Sequence, residues 1–102
     1  MYRLIASYHH PEDADALVAH YRDVHPKLGA KLPGLRAFGW GVCETSDGTK
    51  PAHALIAVLD WDTKAAALAA LGSPAGKEAI DDLANFAQAG VDLEFQEVRE
   101  EV

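Results

Sequence analysis

The sequence predicts one α+β domain of βαββαβ order, and three observations carry that expectation. Period-two alternation of apolar residues marks strands at both ends of the chain. Apolar stripes at three- and four-residue steps mark helical stretches after the first strand and before the last. The length of 102 residues, 49% hydrophobic and 25% charged, fits one ordinary globular domain and no second.

The first strand covers residues 2–8, with Tyr2, Leu4, Ala6 and Tyr8 on one face and Arg3, Ile5 and Ser7 on the other. His9-His10-Pro11 stops it. Asp13 or Asp15 caps the next helix, since a carboxylate there accepts free backbone N–H groups. Leu17, Val18, Tyr21, Val24, Leu28 and Leu32 form its apolar stripe, which Pro26 interrupts. Proline removes one helical N–H and crowds the preceding turn, so a kink or restart is expected near His25. Pro33-Gly34 closes the helical region.

Residues 35–44 form the second strand and residues 53–61 the third, joined by a surface loop over 45–51. The short connection predicts an antiparallel hairpin. The third strand is nearly all apolar, as burial on both faces requires. Thr63 caps an alanine-rich helix that ends at Gly72-Ser73-Pro74. A further short helix over 75–84 follows, with Ser73 as its cap and Pro74 at its first position. The last strand covers 91–99, alternating Val91, Leu93 and Phe95 with Asp92 and Glu94.

This order gives a four-stranded antiparallel sheet with the helices on one face. Strands one and three nevertheless carry apolar residues on both faces. A bare apolar face of more than a few hundred Å² is rare in a monomer, so a homodimer is expected through the helix-free face. A core of this size buries only about two-thirds of the unfolded surface, and association adds to it.

Composition narrows the partners. The net charge of -7, without a Lys/Arg cluster, argues against nucleic acid. No stretch approaches the roughly 20 apolar residues of a membrane span. The N-terminal segment reads as a strand and not a signal peptide, so the cytoplasm is the expected compartment. The single Cys43 has no internal disulfide partner and no basic sequence neighbour to activate its thiol.

The run His20-Tyr21-Arg22-Asp23-Val24-His25-Pro26-Lys27-Leu28-Gly29-Ala30-Lys31-Leu32-Pro33-Gly34-Leu35-Arg36 resembles the signature of the EthD family, an aromatic residue followed by Val-His and a run ending in Leu-Pro-Gly-Leu. Leu59-Asp60-Trp61-Asp62, Ser73-Pro74-Ala75-Gly76 and Asn85-Phe86 before Gly90-Val91 extend the likeness over nearly the whole chain. The resemblance implies a ferredoxin-like fold, a dimeric α+β barrel, and a pocket between sheet and helices. The family takes its name from a small protein encoded with an ether-degrading oxygenase system. Its fold relatives include cofactor-free monooxygenases, cyclases, isomerases and haem enzymes, so fold alone selects no reaction. Phe38 departs from the family, many of whose members carry Tyr there.

His25 is the candidate catalytic residue. A neutral imidazole serves as a general base near neutral pH, and the resemblance singles out this histidine. From the residues alone, the favoured reading is that its ring hydrogen-bonds a carbonyl freed by Pro26. Tyr8, His20, Tyr21, Trp61, Asn85 and Phe86 are the candidate substrate-binding residues, an apolar wall with few polar groups. Asn85 could equally cap the preceding helix. His20 lies five residues from His25, too far around a regular helix to share a ligand with it. His9, His10 and His53 are expected at solvated strand ends, no metal-ligand spacing is recognisable, and no cofactor is expected.

Three functions follow. The first is a cofactor-independent enzyme acting on a small hydrophobic or aromatic molecule, by proton transfer, cyclisation, isomerisation or monooxygenation. The second is a non-catalytic binder or scavenger serving an oxygenase system. The third is a structural dimerisation module. A cavity of about 300 Å³ or more beside His25 favours the first two.

Overall fold

The computed structural model describes residues 1–102. Its elements follow the predicted order: β1 (Tyr2–Tyr8), α1 (Ala14–Asp23), α2 (His25–Gly29), β2 (Ala37–Val42), β3 (Leu55–Trp61), α3 (Lys64–Leu71), α4 (Pro74–Phe86) and β4 (Val91–Glu97). The antiparallel sheet has the strand order β2-β3-β1-β4, which puts the chain's two ends of sheet, β2 and β4, at its edges. β2 and β3 form the expected hairpin, with Phe38 opposite Leu59 and Trp40 opposite Ala57.

The first helical region breaks as its proline requires. Val24 adopts φ -120 and ψ -57 between α1 and α2, and Pro26 enters the first turn of α2, where its missing N–H costs nothing. Asp13 caps α1 by accepting from Ala16 N–H at 3.0 Å. Thr63 accepts from Ala66 N–H at 3.1 Å and Ser73 from Gly76 N–H at 3.2 Å, the other two expected caps.

Boundaries shift where partners run out. β2 is shorter than predicted, although Arg36 and Cys43 still donate to Asp60 and Ala54 just beyond its ends. β3 starts at Leu55 and not His53. β4 ends at Glu97 because β1 begins at Tyr2, and the Val98 N–H bond to Met1 is the last rung. α4 continues through Phe86, so Asn85 lies in its last turn and Ala87 is the cap residue. Asn85 as a helix cap is therefore corrected.

The core lies between the helices and one sheet face. It joins Leu4, Ala6 and Tyr8 of β1 and Leu55, Ala57, Leu59 and Trp61 of β3 to Leu17, Tyr21 and Phe86 of the helices. The opposite face carries partly buried Ile5, Ile56 and Val58, the Arg3–Asp60 ion pair at 2.8 Å, and Gly39 and Gly41. A Cβ on either glycine would meet nothing within 4 Å. Nothing in this chain covers that face. On β4 it is polar, with Asp92, Glu94 and Gln96.

No helix is long and apolar enough to cross a membrane.

Candidate active site

Asp82 is the centre of the site, and it was missing from the sequence-based candidates. It is 6% exposed, on the face of α4 that packs inward. Its Oδ2 lies 2.9 Å from His25 Nδ1, and its Oδ1 and Oδ2 lie 3.1 and 3.2 Å from His20 Nε2. Asn85 Nδ2 donates to Oδ1 at 2.9 Å from one turn further along α4. The signal was an acidic residue on the stripe formed by Ala79, Leu83 and Phe86.

His20 and His25 do share a partner, and the contrary expectation is corrected. On one regular helix, five residues place them about 140° apart. The break at Val24 re-aims the second ring, and the two oxygens of one carboxylate span the remaining gap.

The charge states follow from burial and bonding. Burial alone would raise the Asp82 carboxyl, but bonds from Asn85, His25 and His20 together hold it below its ordinary value of 3.8. Burial lowers the His25 imidazole below 6.5, against the opposing pull of Asp82. Near neutral pH the pair is thus a carboxylate and a neutral imidazole. An ionised acceptor at Nδ1 keeps the proton on that nitrogen, which leaves the Nε2 lone pair free. Burial also pushes the Tyr8 and Tyr21 phenols up, so both stay protonated.

Two cavities flank this cluster. The inner one, about 130 Å³, lies between the sheet and α4, with Tyr8, Tyr21, His25, Phe38, Leu93 and Phe95 in its wall. Its lining is almost wholly apolar, and Leu93 and Phe95 remain 48% and 38% exposed at its mouth. This is less than half the 300 Å³ set as the mark for a ligand cavity beside His25. The outer cleft, about 610 Å³, is more open and more polar, with His10, Asp13, Leu17, His20, Asn85 and Phe86 in its wall. Phe86 packs against both His20 and His25, at ring separations of 4.9 and 5.0 Å. The carboxylate of Asp82 accordingly links a histidine facing the cleft to one facing the apolar cavity.

Most candidate residues assemble here. Tyr8 and Tyr21 contact each other edge-on at 5.4 Å, and Tyr21 packs on His25 at 5.0 Å. Trp61 stands apart. It is fully buried, lines neither cavity, and donates Nε1–H to Pro33 at 3.0 Å, holding the turn before β2. Phe38 gives this part of the inner wall a ring without a hydroxyl. It also explains Gly29, since a Cβ there would lie 2.6 Å from Phe38 Cε2. Cys43 lies elsewhere, and burial raises its thiol, which suits no nucleophile.

A second histidine cluster forms at the end of the sheet. His9, His53 and Asp92 come from the ends of three strands and place their nitrogen and oxygen ligand atoms within 4.8 Å of one another. Linear spacing does not reveal it, because 44 and 39 residues separate its members.

No family model matches the chain. An uncharacterised 11.0 kDa protein from the thcB–thcC intergenic region of Rhodococcus erythropolis is 39% identical over 95 residues, covering 93% of this chain and 92% of the relative. The structure of an ethyl tert-butyl ether D (EthD) family protein from Bacillus halodurans C-125 superposes with a TM-score of 0.90 at 29% identity, covering 97% of this chain and 99% of the other. A dimeric ferredoxin-like protein of unknown function from Jannaschia sp. CCS1 shares the fold, with a TM-score of 0.67 at 21% identity over 95% of this chain and 97% of that one.

Proposed function

We propose that this chain, whose structure closely resembles that of an EthD family protein, acts as a homodimer on a small, single-ring hydrophobic or aromatic metabolite, with His25 as the proton-transfer group. The observation that carries this reading is the 2.9 Å contact of His25 Nδ1 with a buried Asp82 beside an apolar cavity. A buried carboxylate is costly, and an apolar side chain would pack α4 at least as well. Its retention makes chemical sense if it holds the His25 ring and its tautomer for a ligand.

Size sets the substrate class. A dry apolar cavity of about 150 Å³ accepts benzene, so a cavity of about 130 Å³ suits a single ring. A phenol or enol entering past Leu93 and Phe95 would meet Nε2 of His25 as its hydrogen-bond acceptor. The dimer is supported by the uncovered Ile5, Ile56 and Val58 and by the dimeric state of the Jannaschia fold relative. Polar Glu94 and Gln96 leave the β4 side of that face outside the apolar contact.

p-Cresol tests binding, and deuterium exchange into phenylacetone tests proton transfer. We expect p-cresol to shift the His25 ring resonances, and His25→Ala to weaken it by about 5- to 150-fold, the equivalent of unpairing one buried polar group. An enzyme should also catalyse the exchange, and His25→Ala should slow it by about a hundredfold or more. Binding without exchange would establish the accessory binder instead. No response to p-cresol at millimolar concentration would leave the structural dimer.

A further inference from the structure

We infer that His9, His53 and Asp92 form a binding site for a divalent first-row transition metal, separate from the Asp82 cluster. His9 Nε2 lies 3.1 Å from Asp92 Oδ2, and His53 Nε2 lies 3.4 Å from the same oxygen. The two rings stand 5.5 Å apart at 68°, so both present the same nitrogen to one point from different directions. Donor atoms around a zinc ion bound at about 2.0–2.2 Å stand a little over 3 Å apart, close to these two separations.

The backbone holds the three residues in place. His9 follows β1 and donates its N–H to Gly90 at 3.0 Å, while Ala54 N–H donates to Tyr8 at 2.8 Å beside His53. Asp92 is fixed in β4 opposite Ser7. Gly90, at φ +107, lets the His9 ring lie against the chain, where a Cβ would stand 3.3 Å from His9 Cδ2. Approach of the rings to an ion therefore requires side-chain rotation and no rearrangement of the sheet.

Two imidazoles and a carboxylate suit zinc, nickel, copper or ferrous ions and not magnesium or calcium, which prefer all-oxygen sites. With three protein ligands and part-exposed side chains, the remaining coordination positions face solvent, as in an open site and unlike a closed structural one. The net charge of -7 favours cation capture over distance.

Zinc titration of the full metal-stripped chain by calorimetry, with cobalt absorption as a second readout, tests this site. We expect one zinc per chain with a Kd of about 10 µM or tighter at neutral pH. His53→Gln and Asp92→Asn should each weaken it at least tenfold and remove the cobalt ligand-field bands, while His25→Gln leaves both unchanged. Absence of binding at millimolar zinc overturns the inference. So does binding that survives His53→Gln and Asp92→Asn but is lost in His25→Gln.

Discussion

The Nδ1 atom of His25 meets Oδ2 of Asp82 at 2.9 Å, joining a helix start after β1 to the inward face of a helix 57 residues later. This contact determines which ring nitrogen is left for a ligand. On the proposed reading it also gives Asp82 a positioning role, acting through His25.

Asp82→Asn should therefore disturb the site more than the fold. The amide cannot accept as an ion does, so the Nδ1–H tautomer should lose its dominance. Nitrogen-15 NMR of the imidazoles should show the change at both His25 and His20. Asp82→Ala should also lower stability by about 1–3 kcal/mol, because three donors lose their acceptor. An unchanged His25 tautomer in Asp82→Asn would refute the positioning role.

Acid should destabilise the protein in two steps. The folded-state pKa of His25 lies below 6.5 and that of Asp82 below 3.8, so each group binds its proton less readily in the folded state than in the unfolded chain. Both contributions are complete above the unfolded values and decline as pH falls through them toward the folded ones. His20, Asp82 and Tyr21 are the groups facing His25, and all three are retained in His25→Gln. Melting temperature followed downward from about pH 7.5 should begin to fall near pH 6.5 in the wild type and later in that variant. Parallel curves would show that His25 does not titrate with folding.

The open sheet face should carry the dimer. Light scattering at micromolar concentration should give about twice the 11.0 kDa chain mass. Val58→Lys places a charge among Ile5, Ile56 and Gly39 and should return the mass to that of one chain. A wild-type chain of 11.0 kDa would exclude this assembly.

Gly29→Ala should destabilise by about 1–3 kcal/mol, the range for overpacking, since its Cβ would stand 2.6 Å from the Phe38 ring. Phe38→Leu in the same chain should restore part of the loss, because it removes the clashing atom. Chemical denaturation of the two single variants and the double variant measures the coupling. Simple additivity would mean that the ring moves aside freely.

Local chemistry alone determined the element order, the Thr63 and Ser73 caps, the break before Pro26 and the two faces of β1, and it narrowed the first cap to Asp13 or Asp15. Each rests on periodicity or backbone sterics within a few residues, which tertiary contacts shift only at element ends. His25, Tyr8 and Tyr21 were legible as inward-facing candidates because they share an inward stripe or a signature, and they line one cavity. The tertiary structure decided what those residues meet. Asp82 joins His20 and His25 only once α4 packs on α1 and α2, and Trp61 leaves the site because its indole reaches Pro33. His9, His53 and Asp92 likewise converge only when three strands align in register. Hydrogen bonds across 28 to 62 residues depend on how elements dock, and no local pattern encodes that distance.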